Sequence, residues 1–241
     1  MKKITKSYHT LITNNYLSKN NILLTMNFIT TFKDLLVESL KEHKNLIIIL
    51  YALLIITFII AWIYVSGNTG EIVQTLQSGK AASPAPVDPL GTNPLDLFIK
   101  NAGGGIITYL ASIFFGIFAV VSIMYNGFNL GALGPVFGTF MTHGGLQYII
   151  YLIPHGIFEL TGTVIQSTAG IVLFQFVWKF LKNIIRGDNG TRLSVKESFE
   201  KNKKVLIQSL VLLIFATILM LIAAPIEAYF SVPFSEWILG A

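Results

Sequence analysis

Long apolar runs separated by short polar, basic stretches dominate this chain. The first run, Leu46 to Val65, carries no charge and matches the ~20 residues that cross a bilayer core of about 30 Å. Its apolar positions fall on every side of a helix, which predicts lipid around much of its circumference. Trp62 and Tyr64 at its end read as an interfacial aromatic pair. A second span is predicted over 94–126, opened by Asn93 and Pro94, an N-cap followed by a residue with φ already set for a helix. Gly103, Gly104 and Gly105 read as a bend into the bilayer. Beyond them Gly105, Thr108, Ser112, Gly116, Ala119, Ser122 and Asn126 recur at intervals of three and four, so small and polar side chains share one face, the usual face for close helix packing. Asn126 and Gly127 read as the C-cap of this span.

The next stretch, 127–154, supports two readings. Gly127, Gly131, Gly134, Gly138, Gly144, Gly145 and Pro135 interrupt an apolar run, which predicts either one regular crossing or a broken, re-entrant element. A fourth element opens at Pro154 and ends at Lys179 and Lys182. The last span covers Val205 to Ala224, and the tail 225–241, with Phe230, Phe234 and Trp237, is expected in the outer interface. The predicted fold is all-α: a polytopic transmembrane helical bundle of about five spans with one Gly-broken or re-entrant element.

Two regions follow. Residues 1–45 form a polar, basic N-terminal segment. Within it, 27–43 places Phe28, Phe32, Leu35, Leu36, Val37 and Leu40 near helical spacing, which predicts an amphipathic helix on the inner leaflet. Met26 is an alternative start. The first apolar run is too long and too far along the chain for a cleaved signal peptide, so it reads as an uncleaved anchor. Residues 46–241 form the transmembrane domain, whose connector 66–93 holds a short helix at 70–78 and an extended Pro-rich part.

Charge sharpens this picture. Only 12% of residues are charged, against about 25% in soluble domains. Gly127–Trp178 holds Glu159 as its only acid and no Lys or Arg, and 205–241 holds Glu227 and Glu236 and no base. The net charge is +5, but the bases sit beside apolar runs, which is the pattern of membrane orientation and not of a nucleic-acid groove. Seven bases lie in 1–45 and eight in 179–204, while 66–101 holds two, Lys80 and Lys100. The positive-inside rule puts both rich segments in the cytoplasm and the C terminus outside, in a cell membrane. The Asn189, Gly190, Thr191 sequon then lies inside, where glycosylation is not expected.

Candidate chemistry concentrates in Pro154, His155, Gly156, Ile157, Phe158, Glu159 and Leu160. His155 and Glu159 stand at i and i+4 on one helix face, and the stripe continues through Gly162, Thr163, Gln166 and Gly170. An ionisable residue at membrane depth is costly. It reads either as half of a hydrogen-bonded pair that locks helices together or as a group handling a solute, a lipid or a proton. Asn126 and Asn101 complete the candidate polar face. Ser112, Gly116, Gly127, Gly131, Gly162 and Gly170 are candidate packing positions. His143 reads as a loop histidine. Zinc would find two ligands in His155 and Glu159, but the sequence shows no third, and the two-His metalloprotease pattern is absent. There is no cysteine, no phosphate-binding loop, no Gly-x-Ser-x-Gly elbow and no pair of Asp within the spans. No metal, no cofactor and no enzymatic activity are expected.

These blocks resemble the stage II sporulation protein M family over roughly 94–225. The resemblance rests on Phe98, Ile99, Lys100 and Asn101, on Gly116 followed by Tyr125, Asn126, Gly127 and Gly131, and on the Pro154–Leu160 block with Gly170 after it. It implies a small integral membrane protein without a catalytic site, acting as an anchor or scaffold. In spore formers the family member assembles with partners that degrade peptidoglycan and drive engulfment. The expected partners are the lipid bilayer and membrane or cell-envelope proteins, with self-association compatible with the packing faces and no nucleic acid. The alternative is a transporter or scramblase of a small solute, ion or lipid, built on the His155/Glu159 face, or the membrane subunit of an exporter.

Overall fold

The computed structural model describes residues 29–77, 93–187 and 191–240. The chain divides into two compact units, 1–42 and 43–241. In the first, α1 runs over 29–42, with Phe32, Leu35, Leu36 and Leu40 half-buried, Val37 exposed and buried Ser39 donating to the Leu35 carbonyl at 2.6 Å. Met26 and Phe28 lie outside the described residues.

In the second unit the elements are α2 (Lys44–Gln77), α3 (Pro94–Ala111), α4 (Ile117–Gly138), α5 (Gly144–Ile185), α6 (Val195–Tyr229) and α7 (Ser231–Leu239). α2, α4, α5 and α6 are long and apolar enough to cross a membrane. α3, with Asp96, Lys100 and Asn101 in its first turns, is not among them.

Pairwise contacts fix the directions. Gly127, Gly131 and Gly134 of α4 meet Thr57, Phe58 and Trp62 of α2 in rising order, so these helices run parallel. Tyr51 bonds to Thr161 at 2.6 Å and Trp62 packs on Tyr148, so α5 runs against α2. α5 and α6 are antiparallel, as Ser209 to Ala169 and Tyr151 to Glu227 show. α3 runs with α5, since Ala102 meets Gln166 and Ser112 meets Gly170. Helices α2 to α6 therefore alternate in direction along the chain.

Several boundaries differ from those the sequence predicts. The second span does not end at Asn126. It breaks earlier, at 112–116, and α4 continues through Asn126 and Gly127 to Gly138. The stretch 127–154 is broken, as one of its two readings has it, but the break is a single turn. It comprises the end of α4, a turn over 139–143 and the first turns of α5. Gly127, Gly131 and Gly134 serve as contact surface inside a regular helix, while Gly138 and Gly144, the latter at φ +62°, flank the turn; Gly103–Gly105 lie within α3 without bending it out of the helix. Pro154 does not open α5, which starts ten residues earlier and carries the proline in its interior. Nor does α2 stop near Val65: it runs on to Gln77 and absorbs the predicted short helix, while 78–92 lie outside the described residues. Trp62 faces protein, packed near Phe58 and Tyr148, and only Tyr64 is exposed. Part of the predicted tail is helical too, as the last turn of α6 and α7.

The start of α3 follows the predicted signal. Asn93 accepts from the Leu95 N–H at 2.9 Å, and Pro94 occupies the first turn. α6 opens on a capping box, with Ser194 accepting from the Glu197 N–H and Glu197 accepting from the Ser194 N–H at 2.9 Å. The turn before it folds tightly. Gly187, at φ +83°, lies against the backbone of Thr191 and Arg192, and the Leu193 N–H reaches the Asn183 carbonyl at 3.1 Å.

Buried Leu50, Leu54, Ile123 and Val164 bring α2, α4 and α5 together. By contrast Ile48, Ile49, Ile56, Ile60 and Ile63 of α2 are exposed. An apolar face of that extent is a lipid surface, since in water it would be an aggregation site.

Candidate functional site

α5 carries the polar stripe, and most of its members turn toward another helix. His155, with a side chain only 3% exposed, lies with Nε2 at 3.8 Å from Glu159 Oε2. Its other ring nitrogen, Nδ1, is 2.8 Å from the Ser231 hydroxyl at the start of α7. That hydroxyl also contacts the Ile226 carbonyl at 3.2 Å. The serine has one proton: with it on the Ile226 carbonyl the serine oxygen accepts from Nδ1–H, and with it on Nδ1 the ring proton lies on Nε2. In the first tautomer Nε2 presents a lone pair to Glu159; in the second it donates there.

The second acid was not singled out in the sequence. Glu227, near the end of α6, brings its carboxylate to the same point: ligand atoms of His155, Glu159 and Glu227 lie within 4.8 Å of one another. Tyr151 donates to Glu227 Oε1 at 3.5 Å, and its ring meets the imidazole edge-on at 5.1 Å between centroids. Glu227 Oε2 is buried and has no hydrogen-bond partner. A signal for Glu227 existed, since it is one of two acids in the last 37 residues, 205–241. Its partner lay 68 positions away in sequence, and only the antiparallel pairing of α5 with α6 joins them.

The remaining candidates divide among separate contacts. Thr163 donates to the Glu159 carbonyl at 2.9 Å within its own helix, so its hydroxyl stays on the backbone. Gln166 reaches across to the Ala102 carbonyl of α3 at 3.5 Å, beside half-buried Asn101. Its amide lies where a side chain on Gly105 would sit. Asn126 is not a C-cap: in the middle of α4 it donates to the Ser122 carbonyl at 2.8 Å, and Ser122 meets Thr108 of α3 at 3.3 Å. That second polar cluster belongs to the α3–α4 pair and not to the His155 site.

The packing candidates stand at helix contacts. A Cβ on Gly127 would meet Thr57, and one on Gly131 would meet the Phe58 carbonyl. One on Gly162 would lie 3.2 Å from the Ala216 carbonyl, and one on Gly170 would lie 2.8 Å from Ser112 Oγ. Gly116 faces Phe174. Gly134, against Trp62, plays the same part and was not singled out. Nor was Ser209, whose hydroxyl lies 2.9 Å from both the Ala169 carbonyl and the Tyr109 hydroxyl.

Apolar helices of this length, a lipid-facing isoleucine surface and polar groups turned inward define a multi-pass helical membrane protein. The profile of the stage II sporulation protein M family matches residues 48–232, and the chain belongs to that family. The match extends the resemblance to include α2. An uncharacterized protein of Methanocaldococcus jannaschii is 30% identical over 129 residues, 53% of this chain and 65% of that relative's length. No solved structure matches.

Proposed function

We propose that the protein is a non-enzymatic membrane scaffold that crosses the bilayer five times and recruits partners through the basic end of its α5–α6 hairpin. The observation that carries this reading is the reach of that hairpin. α5 has 42 residues, about 63 Å at 1.5 Å per residue, against a bilayer core of about 30 Å. The α3–α4 turn reaches only to the level of Phe174, where Gly116 packs. Beyond that level α5 and α6 continue as a pair. Phe176 packs on Phe180 and Phe199, and Ser198 donates to the Phe180 carbonyl at 2.9 Å. Lys179, Lys182, Arg186, Arg192, Lys196, Lys201, Lys203 and Lys204 lie on this extension. A helical pair held by its own contacts and rich in bases suits docking to an acidic protein surface and, by the positive-inside rule, sits in the cytoplasm. The alternating directions of α2 to α6 support five crossings, with α3 as the polar one and α7 outside.

Transport is less well supported. His155 and Gln166 reach other elements at Ser231 and Ala102, and Thr163 bonds within its own helix, so most of the stripe serves structure. The open groove on the other side of α5, between Tyr51, Leu152, Gly156 and Leu160, is apolar. The archaeal relative is uncharacterized and adds no role, and in a spore-forming host the partners expected are the peptidoglycan-degrading engulfment proteins.

A photo-crosslinking residue at Lys196 or Lys201, introduced in the native host, tests the reading. A specific protein adduct that disappears when Lys203 and Lys204 are replaced by Gln is the expected result. No reproducible adduct from either position counts against it. The chain has no cysteine, so single cysteines report topology directly. An impermeant maleimide added to intact cells should label Trp237→Cys and spare Lys201→Cys. The reverse pattern overturns the orientation.

A further inference from the structure

We propose that His155, Glu159 and Glu227 form a binding site for one first-row divalent metal ion, Zn²⁺ foremost, which ties α5 to α6 and, through Ser231, to α7. This inference stands apart from the scaffold reading, because it rests on the outer end of the bundle and not on the basic hairpin.

Geometry supplies the first argument. Three potential ligand atoms, one nitrogen and two oxygens, lie within 4.8 Å of one another, and the closest recorded pair, Nε2 and Glu159 Oε2, is at 3.8 Å. Tetrahedral zinc with bonds of about 2.1 Å sets its ligands roughly 3.4 Å apart, so modest carboxylate rotation closes the site. One imidazole and two carboxylates with no thiolate suit Zn²⁺, with Mn²⁺ and Fe²⁺ as the nearest competitors. Three protein ligands leave a fourth position for water.

The second argument is electrostatic and independent of spacing. In the tautomer where Ser231 accepts from Nδ1–H, Nε2 offers a lone pair toward the carboxylates of Glu159 and Glu227. Glu227 Oε2 is buried there without a hydrogen-bond donor. In that tautomer three acceptors converge where His155 is buried and the two glutamates are half-buried, and they repel unless a cation or a proton lies between them. The charge of Lys100 on α3 also acts on Glu227. Either a metal ion or shared protons must occupy the centre.

Support around the ligands decides between these. A metal-bound histidine characteristically donates its other ring N–H to a fixed acceptor, and ligating carboxylates are themselves hydrogen-bonded. Ser231 fills the first role, and Tyr151, on Glu227 Oε1 at 3.5 Å, fills the second. A shared proton needs neither arrangement.

The test uses the full chain purified in detergent, stripped with chelator and titrated with Zn²⁺, Mn²⁺ or Mg²⁺. Elemental analysis is expected to give one Zn²⁺ per chain after gel filtration, with a rise in thermal unfolding temperature that Mg²⁺ does not reproduce. Substitution with Co²⁺ should give the visible absorption of a tetrahedral or five-coordinate site. Glu227→Gln and Glu159→Gln should abolish retention, while Glu236→Gln, an acid on α7 outside the cluster, should keep it. Ser231→Ala leaves all three ligands in place and should weaken Zn²⁺ binding by about 10- to 100-fold. Because the Co²⁺ spectrum is read on the unaltered chain, a variant that fails to fold does not shield the proposal. Absence of stoichiometric metal and of a Co²⁺ spectrum in the unaltered chain overturns it in favour of shared protons. So does retention that survives in a folded Glu227→Gln protein.

Discussion

The α2–α4 seam and the α5–α6–α7 seam solve the same problem in opposite ways. Both must hold helices together where lipid offers no hydrophobic drive for helices to associate. Between α2 and α4 atoms are taken away. Gly127, Gly131 and Gly134 let the helices close until a carbonyl or a ring of α2 fills the place of each missing side chain. Along α5 and α6 polar groups are added, and each finds a partner across the seam: Ser209 with Ala169 and Tyr109, Tyr151 with Glu227, and His155 with Ser231. The first seam depends on shape alone and should reject any added volume. The second depends on paired donors and acceptors and should tolerate small volume changes better than the loss of a partner.

The harshest way to break this contrast is the smallest possible addition to the glycine seam. A Cβ at Gly131 meets the backbone of Phe58, which cannot rotate away as a side chain could, so α2 as a whole must shift. Gly131→Ala is expected to cost about 2 kcal/mol, within the usual range for overpacking, despite alanine's better helix propensity. Thermal unfolding of the detergent-purified chain, followed by gel filtration, measures this. An unchanged midpoint would mean that the seam has slack and that its glycines are incidental.

A smaller effect is expected from the polar seam. Ser209 is fully buried, and its removal strands the Tyr109 hydroxyl and withdraws a bond from the Ala169 carbonyl. Ser209→Ala should destabilise by about 1 kcal/mol, since hydrogen bonds between membrane helices are worth about 0.6 kcal/mol on average and a stranded buried group adds to the loss. Thr217→Ala is the matched control. Its hydroxyl returns to its own helix, on the Leu213 carbonyl at 2.9 Å, and should shift the midpoint by less than half as much. Equal losses would show that the polar seam owes nothing to bonds across it.

How far the sequence revealed these seams follows from what each is made of. The class of fold was legible because charge-free runs of about 20 residues have few other uses. The start of α3 was legible because Asn93 and Pro94 act locally. The register of the breaks was not. Glycine marks a turn in water and a contact face in a membrane bundle, so Gly127 and Gly131 suggested a broken element where the structure has an unbroken helix. Pro154 misled for a related reason, since a long, well-packed helix accommodates the proline inside it. His155 and Glu159 were visible as neighbours at i and i+4. Glu227 and Ser231 were not, because nothing local in α6 or α7 says which turn of α5 they will face.

The gentlest test turns on position rather than residue type. Gly103 and Gly104 of α3 have open space where a Cβ would go, whereas Gly105, one residue on, has its place filled by the Gln166 side chain. Glycine inside a helix costs backbone entropy that alanine does not, and with no neighbour to strike, the substitution should only gain. Gly104→Ala is therefore expected to raise the midpoint slightly, by the equivalent of about 0.5 kcal/mol, where the same change at Gly131 lowers it. The sign is the informative quantity. Opposite signs from one substitution, at two glycines of neighbouring helices, would assign the cost at Gly131 to contact with α2 and not to alanine itself. A loss at Gly104 would instead mean that the exposed face of α3 is covered in the membrane, by lipid headgroups or by another protein pressed close to its backbone.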